Sequence, residues 1–324
     1  ARIMVSHIES GAHHQALQEG QQALQLLALS STDSVMLGKI TNQVGVVFFH
    51  LTQYDSSQHY FDRATEIYDL TLADNDPRWA TLYHGFSALR KQQQLHVKAY
   101  SYDSMALKVL LAHYGNDHPK VGDAYNRIGI ALERLGALEE AKQNYLKALD
   151  IFKIDIVRSL PLASTYENLG YVHFGQADYG SAISYFEKVL AVRTSVLGDR
   201  HAATIRIIDQ LGRCHHQLQN LTAAKSFYDL ALQRLDQAPT GQELLKANLL
   251  LKMAILDDEL GHTRKGLKQL DDAADLYLQL FGPDNPYQSY IYTNRAIFHT
   301  RLGEFERALA FQEASNRLYL RDLE

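Results

Sequence analysis

Small residues recur along this chain at a fixed period, and that period constrains the fold more than any other feature. Glycine, serine or alanine stands at Gly45, Ser87, Gly129, Gly170, Gly212, Ala254 and Ala296, with spacings of 42, 42, 41, 42, 42 and 42 residues. A second series runs Ser57, Ala99, Ala141, Ala182, Ala224, Gly266 and Ala308. A third runs Ala64, Ala106, Ala148, Val189, Ala231, Ala273 and Ser315. Each unit therefore has three points where two helices approach closely, because a larger side chain there would hold them apart.

Between the first and second series lies a helix-breaking position, occupied by Gly136, Gly261 and Gly303 in RLGALEEA, ELGHTRKG and RLGEFERA. Apolar residues at helical spacing flank it, such as Tyr125, Ile128 and Leu132, then Leu138, Tyr145 and Leu149. The unit reads as helix, turn, helix. Loops with turn chemistry join the units: LADNDP, HYGNDHP, RSLP, LGDRH, QAPTGQ and FGPDNP. Pro77, Pro119, Pro161 and Pro286 precede the following helices, where a missing amide proton costs nothing. The expected fold is all-α, with seven helix pairs over residues 35–324 in one continuous solenoid and a partial unit over residues 1–34. Gly11, Ala16 and Ala23 carry the register of that partial unit.

The pattern resembles the tetratricopeptide repeat family, in the 42-residue variety seen in kinesin light chains. HPKVGDAYNRIGIALERLGALEEAKQNYLKALDIF matches the family consensus almost throughout, and LPLASTYENLGYVHFGQADYGSAISYFEKVLAV nearly as well. The resemblance implies a right-handed superhelix of antiparallel helix pairs, its concave face lined by the first helix of each pair. Some positions depart from the pattern. Asp103 stands where an aromatic residue is usual, and Arg90 and Gln93 stand where apolar residues are usual. VGVVFFHLTQY, around Gly45, is more apolar than its counterparts.

Carried onto this chain, the resemblance places Lys39, Asn42, Gln43, His84, Asn126, Arg127, Ile130, Arg134, Asn168, Tyr171, Arg206, Gln210, Arg213 and Asn294 in the groove. An asparagine amide both donates and accepts, so Asn42, Asn126, Asn168 and Asn294 suit an extended peptide backbone whatever its side chains. Arg127, Arg134, Arg206 and Arg213 add forked donors that match carboxylates, which makes an acidic segment a natural guest. Glu133, Glu167 and Asp209 lie among them as candidate internal partners. The carboxylate clamp that some family members use for a chain terminus is not assembled, because Ala88 and Asp123 fall where it needs polar or basic residues.

Net charge −5 and pI near 6.3 argue against a general nucleic-acid binder, which requires clustered positive charge. No apolar run approaches the length of a membrane-spanning helix and no secretory leader is evident. One cysteine, Cys214, allows no internal disulfide; it reads as a core thiol and fits a reducing, cytoplasmic setting. Fifteen histidines invite a metal reading, yet the adjacent pairs His13–His14 and His215–His216 point about 100° apart on a helix and cannot share an ion. The pattern expects no metal and no cofactor. Trp79 is a candidate contact residue. Catalytic signatures for nucleophile elbows, P-loops and dinucleotide turns are missing, so the expectation is not an enzyme.

These features favour a scaffold whose groove holds a protein or peptide. Two alternatives remain open: a peptide- or ligand-sensing regulatory domain of a larger signalling or transcription-regulating protein, and a homo-oligomeric assembly element. Ala1 falls inside the first helix of the partial unit, and the last unit stops at LYLRDLE without a polar capping helix. An excised part of a longer protein, able to self-associate through uncapped ends, is the matching expectation.

Overall fold

The structure, a computed structural model, describes residues 11–30, 34–155, 160–238, 241–283, 285 and 287–321. Among the described residues there are fifteen helices and no strand. Contacts divide the chain into two compact units, residues 1–157 and 158–324. The first holds α1 (His13–Ser30) and three pairs: α2 (Ser34–His50) with α3 (Tyr54–Thr71), α4 (Pro77–Gln92) with α5 (His96–Tyr114), and α6 (Pro119–Arg134) with α7 (Leu138–Asp155). The second holds four: α8 (Leu160–Gly175) with α9 (Tyr179–Leu197), α10 (Ala202–Gln217) with α11 (Leu221–Asp236), α12 (Glu243–Glu259) with α13 (Thr263–Phe281), and α14 (Gln288–Arg301) with α15 (Phe305–Arg321). Within each unit the second helix of a pair packs on the first helix of the next.

All three small-residue series are buried, as their spacing requires. The first series has a specific cause. A side chain at Gly45 would come within 2.6 Å of the Phe61 ring, and one at Gly170 within 2.6 Å of Phe186; Gly129 faces Tyr145 and Gly212 faces Tyr228 in the same way. Where the opposing register position is not aromatic, the series carries a side chain: Ser87 faces Asp103, and Ala254 stands in register with the buried Leu270. Volume is thus conserved across the helix contact, as close packing demands.

The turn between paired helices places one residue in left-handed backbone in every unit, with φ of +79° at Gly136, +80° at Gly261 and +75° at Gly303. Thr52, Gln94, Ala177 and Gln219 hold the same conformation, φ +58° to +59°, against a steric cost glycine does not have. Gln93 lies just past the end of α4, where its side chain accepts from Arg90 at 2.9 Å. Pro77 and Pro119 open their helices and Pro161 is the second residue of α8; Pro286 and residues 1–10 lie outside the described residues.

Packing accounts for several histidines. His118 and His201 cap α6 and α10, each accepting a backbone N–H on Nδ1 at 3.1 Å. His173, His215 and His299 share one register and stack on Tyr185, Phe227 and Phe311 of the paired helix, with centroids 5.2 to 5.4 Å apart. Cys214 is fully buried, and that burial pushes its thiol up to about 11.

Candidate protein-binding faces

In the first unit the sequence-derived groove residues separate into an inward set and an outward set. Asn42 on α2 is only 3% exposed, and its amide hydrogen-bonds the Tyr68 side chain, so it is a core residue and does not line a face. Burial pushes the Tyr68 hydroxyl up to about 12. Gln43 is half-buried and Lys39 is exposed. His84 on α4 is also turned inward, its Nδ1 3.3 Å from Asp103 Oδ1, while Lys91 Nζ donates to Asp103 Oδ2 at 2.7 Å. Asp103 is fully buried. Burial alone would raise its carboxyl, but His84 and Lys91 together hold it below the usual aspartate range; desolvation lowers His84 in turn. The outward set belongs to α6, where Arg127 and Arg134 are exposed and Asn126 and Ile130 are half-buried.

In the second unit the face is built by α8 and α10. Asn168 is half-buried, the Tyr171 ring is 37% exposed with its edge on Phe186, and Arg206 is exposed. Burial pushes the Tyr171 hydroxyl up to about 12, which keeps it a donor. Arg213 lies over the Phe174 ring at 4.8 Å and donates to Gln210 Oε1 at 2.8 Å, so the two side chains hold each other in place. Asn294 on α14 is 7% exposed and donates to the Tyr290 carbonyl of its own helix at 2.8 Å, which removes it from the face. The four asparagines do not form one series. Asn42 and Asn126 stand three residues before the small residue of their helix, Asn168 and Asn294 two before.

The carboxylates interspersed with the arginines are engaged elsewhere. Glu133 accepts from the Tyr145 hydroxyl at 2.9 Å. Glu167 takes both Arg193 guanidinium nitrogens, at 2.6 and 3.1 Å, and Asp209 binds Lys252 at 2.5 and 2.7 Å. Among the described residues, none of Arg127, Arg134, Arg206 and Arg213 has a carboxylate within ion-pair distance. Arg127 still feels the Asp123 carboxylate one turn earlier on α6, whereas among the described residues no such carboxylate is within ion-pair distance of Arg134, Arg206 and Arg213.

A device absent from the sequence reading links successive first helices of the second unit. Asp209 pairs with Lys252, His216 with Glu259 at 2.7 Å, and Asp258 with Arg301 at 2.7 Å, each spanning 43 residues. For Asp209 with Lys252 and Asp258 with Arg301, a charge of one sign followed by its opposite one period and one residue later was the available signal.

The tetratricopeptide repeat family model matches residues 78–154 and 161–237. A kinesin light chain-related protein of Arabidopsis thaliana is 22% identical over 206 residues, taking in 63% of this chain and 32% of that relative's own length. Among solved structures, BtubC (BKLC) from P. vanneervenii superposes with a TM-score of 0.59 at 17% identity, covering 80% of this chain and 93% of that one. A signal transduction ATPase with numerous domains carrying a tetratricopeptide repeat sensor, from Pyrococcus horikoshii, gives 0.72 at 16% identity over 92% of this chain and 43% of its own. Residues 78–154 and 161–237 match the tetratricopeptide repeat family, and the helix pairs on either side keep the same register of about 42 residues, which resembles that of kinesin light chains.

Proposed function

We propose that this chain holds an acidic, extended segment of another protein on the first-helix faces of its repeats. A scaffold for protein interaction is the general role of the family; the acidic guest and the residues that grip it are our reading. One observation carries it: four arginines in the first-helix registers lack carboxylate partners among the described residues, because Glu133, Glu167 and Asp209 are bound to other groups. In the second unit the contact residues are Asn168, Tyr171, Arg206, Gln210 and Arg213, with Arg213 pre-oriented by Phe174 and Gln210. In the first unit they are Asn126, Arg127, Ile130 and Arg134. Guanidinium forks meet carboxylates bidentately, and amides meet the guest backbone.

A fluorescein-labelled decapeptide alternating Glu and Gly tests the reading by anisotropy. Binding is expected to weaken with added salt, since partly exposed charges are screened within about 10 Å. Replacing Arg206 and Arg213 by Gln should weaken it roughly tenfold, as loss of one or two charge-assisted contacts implies. A probe that binds the double variant as tightly as the parent would place the site elsewhere.

A further inference from the structure

The α4/α5 pair holds a cavity that the first-helix faces do not use. It lies between α3, the loop at 72–76, α4 and α5, and has a volume of about 420 Å³. A run of rings forms its wall: Trp79 stacks on Tyr83 with centroids 5.8 Å apart, Tyr83 on Tyr102 at 6.3 Å, and Tyr102 on Phe86 at 5.0 Å. Its rim is acidic, with Asp62 and Asp69 from the exposed side of α3 and Asp74 from the loop. Among the described residues no lysine or arginine stands within ion-pair distance of these three.

The following pairs show what sits over such a ring. Lys147 Nζ lies 5.4 Å from the Tyr125 centroid in the α6/α7 pair. Lys188 Nζ lies 5.5 Å from Tyr166 and 5.1 Å from Tyr185 in the α8/α9 pair. Tyr83, Tyr125 and Tyr166 share one register, four residues before Ser87, Gly129 and Gly170. Lys147 and Lys188 share another, one residue before Ala148 and Val189. In the α4/α5 pair that second position is Met105, 42% exposed. The lysine of those two pairs is thus replaced by methionine in the α4/α5 pair, whose rings are bordered by three aspartates.

We infer that this cavity binds the cationic side chain, a guanidinium or an ammonium, of a basic segment of a partner polypeptide. The ring faces attract the cation through their quadrupoles and the aspartates supply its counter-charge. The unbranched Met105 side chain is free to fold back along the aliphatic stem of the guest. The site selects a charge opposite to that favoured by the arginine faces, so it stands or falls independently of them.

Trp79 is the only tryptophan, and its fluorescence reports the cavity without a label. Titration with acetyl-Gly-Arg-Gly-amide is expected to give a saturable change that weakens with added sodium chloride. The same peptide with citrulline, alike in shape but uncharged, should give none. Met105→Lys supplies the in-chain cation of the neighbouring pairs and should weaken binding roughly tenfold with unchanged circular dichroism. Asp69→Asn with Asp74→Asn should weaken it roughly fivefold. No saturable response, an equal response to the citrulline peptide, or full affinity in Met105→Lys would each overturn the assignment. A concentration-dependent dimer that Met105→Lys dissolves would give the cation to a second copy of this chain and overturn the partner.

Discussion

Gly129 and Gly175 have the same side chain and opposite reasons for it. A Cβ at Gly129 collides with the buried Tyr145 ring, whereas one at Gly175 meets nothing within 4 Å. Alanine favours a helix over glycine by about 1 kcal/mol, while overpacking costs about 1 to 3 kcal/mol. Gly129→Ala should therefore lower the urea midpoint and Gly175→Ala should hold or raise it. Asp103 presents the opposite case, a buried charge at an aromatic register. Lys91→Met removes the ammonium from that carboxylate and leaves it the contacts to His84 and Ser87, at a cost of about 2 kcal/mol. The pH dependence has one sign. Asp103 is lowered in the folded chain, so its stabilisation is present above its unfolded value, about 3.9, and is lost as pH falls below it. His84 is also lowered, so acidification below about 6.5 protonates the unfolded chain first and favours it. Between pH 7 and 5.5 the melting temperature of His84→Gln should fall less than that of the parent.

Paired helices follow a rule of conserved contact volume, and Ser87 with Asp103 is its most informative exception. Asp103→Phe alone should drive a ring against Ser87 and destabilise; adding Ser87→Gly recreates the Gly45–Phe61 arrangement and should recover it. A double-mutant cycle by chemical denaturation is expected to give a coupling of about 1 to 3 kcal/mol, and zero coupling would show that the two side chains do not share the contact. The pairs, their turns and their small-residue contacts were legible because each is local and recurs every 42 residues. Asparagine alignment was not. The single 41-residue spacing between Gly129 and Gly170 shifts Asn168 by one position relative to Asn126, although the two lie 42 residues apart. Nor did spacing reveal that Asn42 and Asn294 turn inward, since Asn42 meets a ring of the paired helix, Tyr68, and Asn294 the Tyr290 carbonyl one turn back.

Among the described residues, each compact unit carries first-helix arginines with no carboxylate at ion-pair distance, so the proposed partner capture is measurable unit by unit. The arginines were legible in the sequence, but their availability was not. It depends on Arg193, Tyr145 and Lys252 occupying the nearby carboxylates across 12 to 43 residues. Joint replacement of Asn168 and Arg213 by Ala should abolish capture through the second unit with helicity unchanged, and replacement of Asn126 and Arg127 should do so for the first. The most direct measurement is site-specific photocrosslinking with p-benzoylphenylalanine in place of Tyr171, on the α8 face, or of Glu187, exposed on the second helix of that pair. A partner crosslinked from Tyr171, competed by the acidic decapeptide and absent from Glu187, is the predicted result. Crosslinking from Glu187 with none from Tyr171 would contradict it.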